Sequence, residues 1–329
     1  MADLKGQTSA AEEENIIRRV RELTDQYNLD NISRTAAYHR FFQAYPEIQW
    51  SFLAGMVSRN AGWNMGDLEG YWLPRVLTRQ YRHLLFLTYE RANWLIFDDA
   101  YPQLLLYHYS TKAGRPLFHL FRKFNISEFI EREWMRFWKH KEKKRLVYSL
   151  IINEQNLIQK PVIEEGYTSR VFQSAAFLLQ DWFHFSTVLF PTMDGRLYGV
   201  STYHFKKLDA RIEMGKRLAE ILFSQTLFQE FHRFSQNVEH TGSRHDYERF
   251  FPYKKTRETP FLRAVYPAIQ HSRGQGGAWE DKRKIKKKWY KSLENSFNPE
   301  LTGWYKDKQL QLQAGILVKR LVFGTGKNT

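Results

Sequence analysis

At 329 residues, 43% of them hydrophobic, the chain is long enough for one or two packed domains, and with no cysteine it excludes disulfides, thiol nucleophiles, iron–sulfur clusters and thiolate zinc sites together. Its 10 Trp, 18 Tyr and 25 Phe demand a core in which many indole N–H and phenol groups find internal partners. A formal charge of +15 attracts polyanions, whether nucleic acid, anionic membrane surfaces or acidic proteins, without choosing among them.

The amino-terminal residues carry Glu12, Glu13 and Glu14 in place of a basic start and an apolar stretch, so no secretory signal is expected and the cytoplasm is the expected compartment. Ser9-x-x-Glu12 is a capping-box pattern, and Ile16, Val20, Leu23 and Tyr27 follow at helical spacing. A second helix presents Tyr38, Phe41, Phe42 and Tyr45 before Pro46, and a third runs from Ile48 to a stop near Gly62. Helical patterns then cover about 68–77, 79–96, 101–110 and 116–124, followed by 127–138 with Ser127 as cap and 142–158 ahead of Pro161. Residues 171–190 are numerous enough to span a bilayer, but Asp181 alone costs about 2.5–3.5 kcal/mol at mid-membrane, so a buried helix and no transmembrane span are expected. Asp194-Gly195 marks one hairpin, with Pro191 demoting its first strand to an edge or to no strand. Helices resume at 208–223 and 225–235, with shorter pieces around Tyr247 and Phe261. The fold expected is therefore all-α, a compact multi-helix body with one short β-hairpin near residues 188–205.

Composition shifts at His271. Ser272 to Gly277 reads as a flexible joint, and residues 271–329 hold 13 Lys and Arg against 5 Asp and Glu. The organisation expected is an aromatic-rich helical body over 1–270 and a basic carboxyl-terminal extension over 271–329, such that truncation after Gln270 would leave a folded body. Within the extension, Lys282, Arg283, Lys284, Lys286, Lys287, Lys288 and Lys291 place seven cations in ten residues, with Trp289 and Tyr290 among them. Cations that track phosphates beside rings that stack are what a nucleic-acid surface needs; seven phosphate contacts would give a log–log salt slope of about −6. A solvated basic helix, or docking on an acidic protein or anionic membrane, fits the same run.

Two polar clusters sit between apolar helices. In Ser58 to Leu68, the side chains of Arg59, Asn60 and Asp67 accompany Gly62 and Gly66. They suit either an anion-binding pocket or a plainer junction, with Gly62 closing one helix and Asp67 capping the next. In Glu90 to Pro102, Arg91, Asp98 and Asp99 allow a general acid or a metal, although adjacent side chains diverge and one Asp as a helix cap is the simpler role. Glu90 and Arg91 near Arg59 would make a buried ion pair. Asp181-x-x-His184 and Glu131-x-Glu133 are thin as metal ligands, and no Glu-x-x-His, phosphate-binding loop or Gly-x-Ser-x-Gly occurs, so no metal and no cofactor are expected.

At Ser58–Leu68 and Glu90–Leu104 the chain resembles the YppC-like family of Bacillus and related bacteria, a family of unknown function. The resemblance extends over most of the helical body. It implies an intracellular bacterial protein and carries no catalytic assignment. Two functions follow from the residues themselves. One is a non-enzymatic binding protein that docks on a polyanion through the basic segment. The other is an enzyme or small-ligand-binding protein with a buried pocket built from Arg59, Asn60, Asp67, Arg91 and Asp98.

Overall fold

Three helix starts are set by local capping groups. The Asp30 carboxylate accepts from the Ser33 amide at 2.7 Å and opens α2 (Asn31–Ala44), which follows α1 (Ala10–Tyr27). Thr78 caps α4 (Arg79–Ala113) and Ser127 caps α5 (Glu128–His140), each hydroxyl accepting an amide at 3.3 Å. Between these lie α3 (Gln49–Asp67) and, after α5, α6 (Lys143–Ile158). The computed structural model describes residues 10–164, 187–201, 207–272, 279, 284–293 and 297–323. The second half contributes strands β1 (Thr187–Pro191) and β2 (Leu197–Ser201), then α7 (Leu208–Leu222), α8 (Phe228–Asn237), the short α9 (His245–Glu248) and α10 (Leu262–Val265), and α11 (Thr302–Phe323). The fold is predominantly helical, as the periodicity predicts.

Two expected helix breaks are absent, for the same physical reason. α3 runs through Gly62 and Gly66 to Asp67, because these glycines serve close approach and not a turn. A Cβ on Gly66 would lie 2.1 Å from the Gly242 carbonyl oxygen, and one on Gly62 would lie 2.4 Å from Asn31 Oδ1. Likewise α4 continues as one 35-residue helix through Pro102, so neither Asp98 nor Asp99 caps a helix. Asp99 instead accepts from Gln103 at 2.7 Å and from Asn153 on α6 at 2.6 Å, tying two helices together. Tertiary packing outweighs the hydrogen bond that Pro102 forfeits; Phe97 and Tyr101 beside it are buried and stacked at 4.5 Å.

The hairpin forms around Asp194-Gly195, Gly195 adopting φ 83°, with β1 and β2 antiparallel and Leu189 opposite Gly199. Pro191 ends β1 opposite Leu197. The outer side of β2 is covered from far along the chain: Gly199 donates to the Pro299 carbonyl and Leu301 donates to the Leu197 carbonyl, both at 2.8 Å. A large aromatic core gathers α2 to α7, a second core joins the start of α4 to Leu312 and Ile316 of α11, and a third packs Trp63 and Tyr305 with the hairpin and α8. No helix among the described residues is long and apolar enough to cross a membrane. The candidate span at 171–190 lies, up to residue 186, outside the described residues, and its last residues begin β1.

Candidate ligand-binding site

The five pocket residues expected from the sequence do not converge. Successive positions on a helix point about 100° apart, and Arg59 and Asn60 accordingly leave different sides of α3. Arg59 donates to the Val238 and Glu239 carbonyls just past the end of α8, the first of these a very short bond. Asn60 grips β1, donating to the Thr187 carbonyl at 3.2 Å and accepting from the Leu189 amide at 2.9 Å. Asp67 pairs with Arg244 at 2.8 Å, both buried. Arg91 reaches the Ser272 carbonyl at 3.0 Å and lies over the Trp94 ring. Asp98 is buried on α4 and lines neither of the cavities that flank α3. Glu90 takes Arg34, and neither Arg91 nor Arg59, as its partner: the two side chains form a bidentate pair at 2.9 and 2.5 Å. With the Arg34 Nε on Asn28 at 2.6 Å, this pair locks α2 to α4.

No group of three or more metal-binding side chains occurs among the described residues. Asp181 and His184 lie outside them. Glu133 is committed to Arg145 at 2.7 Å, and Glu131 lies 3.8 Å from Arg122.

The basic run is divided by its packing. Lys282 and Arg283 lie outside the described residues. Lys286 and Lys288 reach Asp209 at the start of α7, at 3.3 and 2.6 Å, and the indole of the buried Trp289 donates to the same carboxylate at 2.7 Å. Burial works against the Asp209 charge, yet the three donors more than offset it and hold the carboxyl below its usual range. Tyr290 is half-buried, its hydroxyl 2.9 Å from that of Ser149 and its face under Arg145. The rings expected to stack on bases are thus turned to the body, because an acid about 80 positions away supplies a partner that the local sequence does not reveal. Lys284, Lys287 and Lys291 remain exposed, with no carboxylate within ion-pair distance among the described residues. The Lys291 carbonyl accepts from Lys216 at 2.5 Å.

Where side chains do converge is a cavity of about 170 Å³ lined by α2, α3, α4, α6, α7 and β1. Most of its wall is apolar, from Leu53, Val57, Ile96, Met214 and Leu218 among others. Into it face Tyr38, Asn60, Asn64, Glu154 and Gln155. The Tyr38 hydroxyl is buried without a hydrogen-bond partner. Burial, and then the nearby Glu154 carboxyl, push its pKa well above the usual phenol range. Burial likewise pushes the Glu154 carboxyl up to about 8, and Gln155 is its hydrogen-bond donor at 3.2 Å. Glu154 is half-buried in the cavity wall, and the apolar side chains around it favour the protonated form of its carboxyl. An apolar chamber with a few directed polar groups is the usual composition of a small-molecule site. The sequence hid it: Tyr38 reads as one more ring on a core face. Glu154 was the legible signal, since it stands three and four positions after the buried Ile151 and Leu150, on the inward side of α6.

The fold and cavity define a predominantly helical protein with a largely apolar cavity between its helices, and the chain belongs to the family described as "Protein of unknown function (DUF2515)", whose pattern matches residues 26–306. A similar protein is the uncharacterized protein YppC of Bacillus subtilis (strain 168), 47% identical over 307 residues that cover 93% of this chain and 95% of that one. No solved structure matches.

Proposed function

We propose that the protein binds a small, mostly apolar, uncharged molecule in the cavity lined by Tyr38 and Glu154. The observation that carries this reading is the Tyr38 hydroxyl, in a residue 3% exposed, unpaired on the wall of that cavity. A buried polar group left unpaired costs about 1–3 kcal/mol, which a ligand with one hydrogen-bonding atom would recover. The volume of about 170 Å³ is comparable to an engineered apolar cavity of about 150 Å³ that accepts benzene, so the ligand is of that size class. The two arginines of the wall are already bonded, Arg34 to Glu90 and Arg211 to Gln155, and the rest of the lining is mostly apolar, which favours an uncharged guest.

Phenol, cyclohexanol and 2-pyrrolidone are suitable probes in thermal denaturation. At least one should raise the Tm of the wild-type chain and none should raise that of Ala61→Phe, which fills the chamber from a half-buried wall position. Equal responses in the two chains, or no response to any probe, would remove the reading.

A second reading, polyanion docking through the basic segment, is supported by the exposed Lys284, Lys287 and Lys291. Three phosphate contacts correspond to a log–log salt slope of about −3, and not to the value for seven. A 20-base-pair duplex titrated across salt concentrations should return that slope. Joint replacement of the three lysines by Glu should abolish binding. An undiminished affinity in that variant overturns the reading, as does binding that salt leaves unchanged.

A further inference from the structure

On the opposite side of α3 from the first cavity lies a second, of about 550 Å³, between α2, α3 and the segment that follows α8. Its wall includes Thr35, His39, Phe52, Met56, Arg59 and Asn237. Arg59 is the unusual member. The residue is 3% exposed, its Nε has no acceptor, and among the described residues no carboxylate lies within ion-pair distance. The acid that acts on it electrostatically, Asp246, is already occupied by the Trp63 indole at 2.9 Å, by the Thr241 amide at 3.0 Å and hydroxyl at 2.5 Å, and by His240 at 3.6 Å. Burial pulls the Arg59 pKa down to about 10, with Asp246 opposing that fall and Arg249 adding to it. The two carbonyls beyond α8 offset part of the charge, as cations at helix carboxyl ends do. Dipoles do not replace a counter-ion, and breaking a buried pair typically costs about 3–5 kcal/mol. All other buried arginines among the described residues have an acidic or amide side-chain partner: Arg34 has Glu90, Arg82 has Glu69, Arg244 has Asp67 and Arg211 has Gln155.

We propose that this cavity binds a small organic monocarboxylate, its carboxylate against the Arg59 guanidinium and its apolar body against Phe52 and Met56. The charge balance selects a monoanion. Among the described residues Arg59 is the one permanent cation on the wall, and the carboxylate of Glu239, exposed at the rim, disfavours a second negative charge on the guest. His39 and His240, the other basic groups in the wall, are each held down to about 4, foremost by burial, and are neutral at pH 7. His232, 6.5 Å from His39 between ring centres, and Arg59 itself both add to the fall at His39. A carboxylate seated beside Arg59 reverses that influence and gives His39 a reporter role.

The experiment uses the full chain with benzoate and hexanoate as probes, benzamide as the uncharged shape control and inorganic phosphate as the dianionic control. Both carboxylates should raise Tm, benzamide and phosphate should not, and benzoate should move the His39 ring resonances to a higher apparent pKa. Arg59→Gln should weaken the benzoate response roughly 10- to 100-fold, the loss of a hydrogen-bonded charge. Should that variant fail to fold, Ala36→Trp decides: Ala36 is exposed at the cavity wall, so the ring blocks entry without entering the core. Ala36→Trp must lose the response, and Ala61→Phe, which fills the other chamber, must keep it. The inference is overturned by benzamide binding as well as benzoate, by phosphate alone binding, by a full response in Ala36→Trp, or by no response to either carboxylate.

Discussion

Glu154 sets a pH dependence that runs opposite to that of most acids in folded proteins. Its carboxyl rises from the ordinary 4.5 to about 8 on folding. Between those values the folded chain holds a proton that the unfolded chain has released, so stability falls as pH rises through that window. Glu154→Gln, which keeps the shape and stays neutral, should flatten this decline and be roughly 1–3 kcal/mol more stable than the wild type at pH 9, measured by urea denaturation. Identical pH profiles for the two chains would show that the carboxyl titrates normally. His39 and His240 act at the other end: their folded values near 4 lie below the free value of 6.5, so their contribution is lost as pH falls from about 6.5 to 4. At this scale little was legible in advance. The sequence names Arg59, Asn60 and Asp67 as polar residues in an apolar setting, and all three are buried. It does not say that they face different neighbours, since that depends on which elements pack around α3.

Among the elements, legibility follows the range of the forces involved. Ser127 and the Asp194-Gly195 turn act within a few residues, and both do what the local chemistry predicts. Gly62 was read by the same local rules as a helix stop, and Asp98 or Asp99 as the cap of a new helix; neither break occurs, because their environment is set by segments far away in the chain. Gly66 provides a quantitative test. Alanine at a helix-interior glycine ordinarily gains about 1 kcal/mol, but here its Cβ would meet the Gly242 backbone at 2.1 Å, and overpacking of that kind costs about 1–3 kcal/mol or more. The clash should win, and Gly66→Ala should lower Tm. Gly303→Ala, with nothing within 4 Å of its Cβ, should be neutral or slightly stabilising. A rise in Tm for Gly66→Ala would mean that α3 and the Gly242 loop separate more easily than this packing implies.

For the whole molecule, the expectation of a body that folds without its basic extension meets specific contacts. Tyr305 is 1% exposed, with its hydroxyl donating to Glu248 at 2.7 Å, and Leu312 and Ile316 are buried against the start of α4. Burying three such side chains is worth about 1.5–3 kcal/mol each, a large share of the roughly 5–15 kcal/mol that holds a domain together. A chain ended after Asn298 should therefore unfold at a markedly lower urea concentration, with exposed apolar surface detectable by dye binding. A truncated chain as stable as the full one would show that these contacts add nothing. The charge shift at His271 was real, but charge marks solvent preference for only some of the segment; its aromatic residues decide where it packs.

The cover over β2 has a consequence during synthesis. Leu197 and Gly199 complete their backbone pairing with Pro299 and Leu301, about a hundred residues downstream. While a ribosome is translating that interval, the hairpin presents a bare strand edge of the kind that recruits other nascent chains. Slow elongation between codons 202 and 299 prolongs that vulnerability, and a holding chaperone acting in the same interval would shorten it.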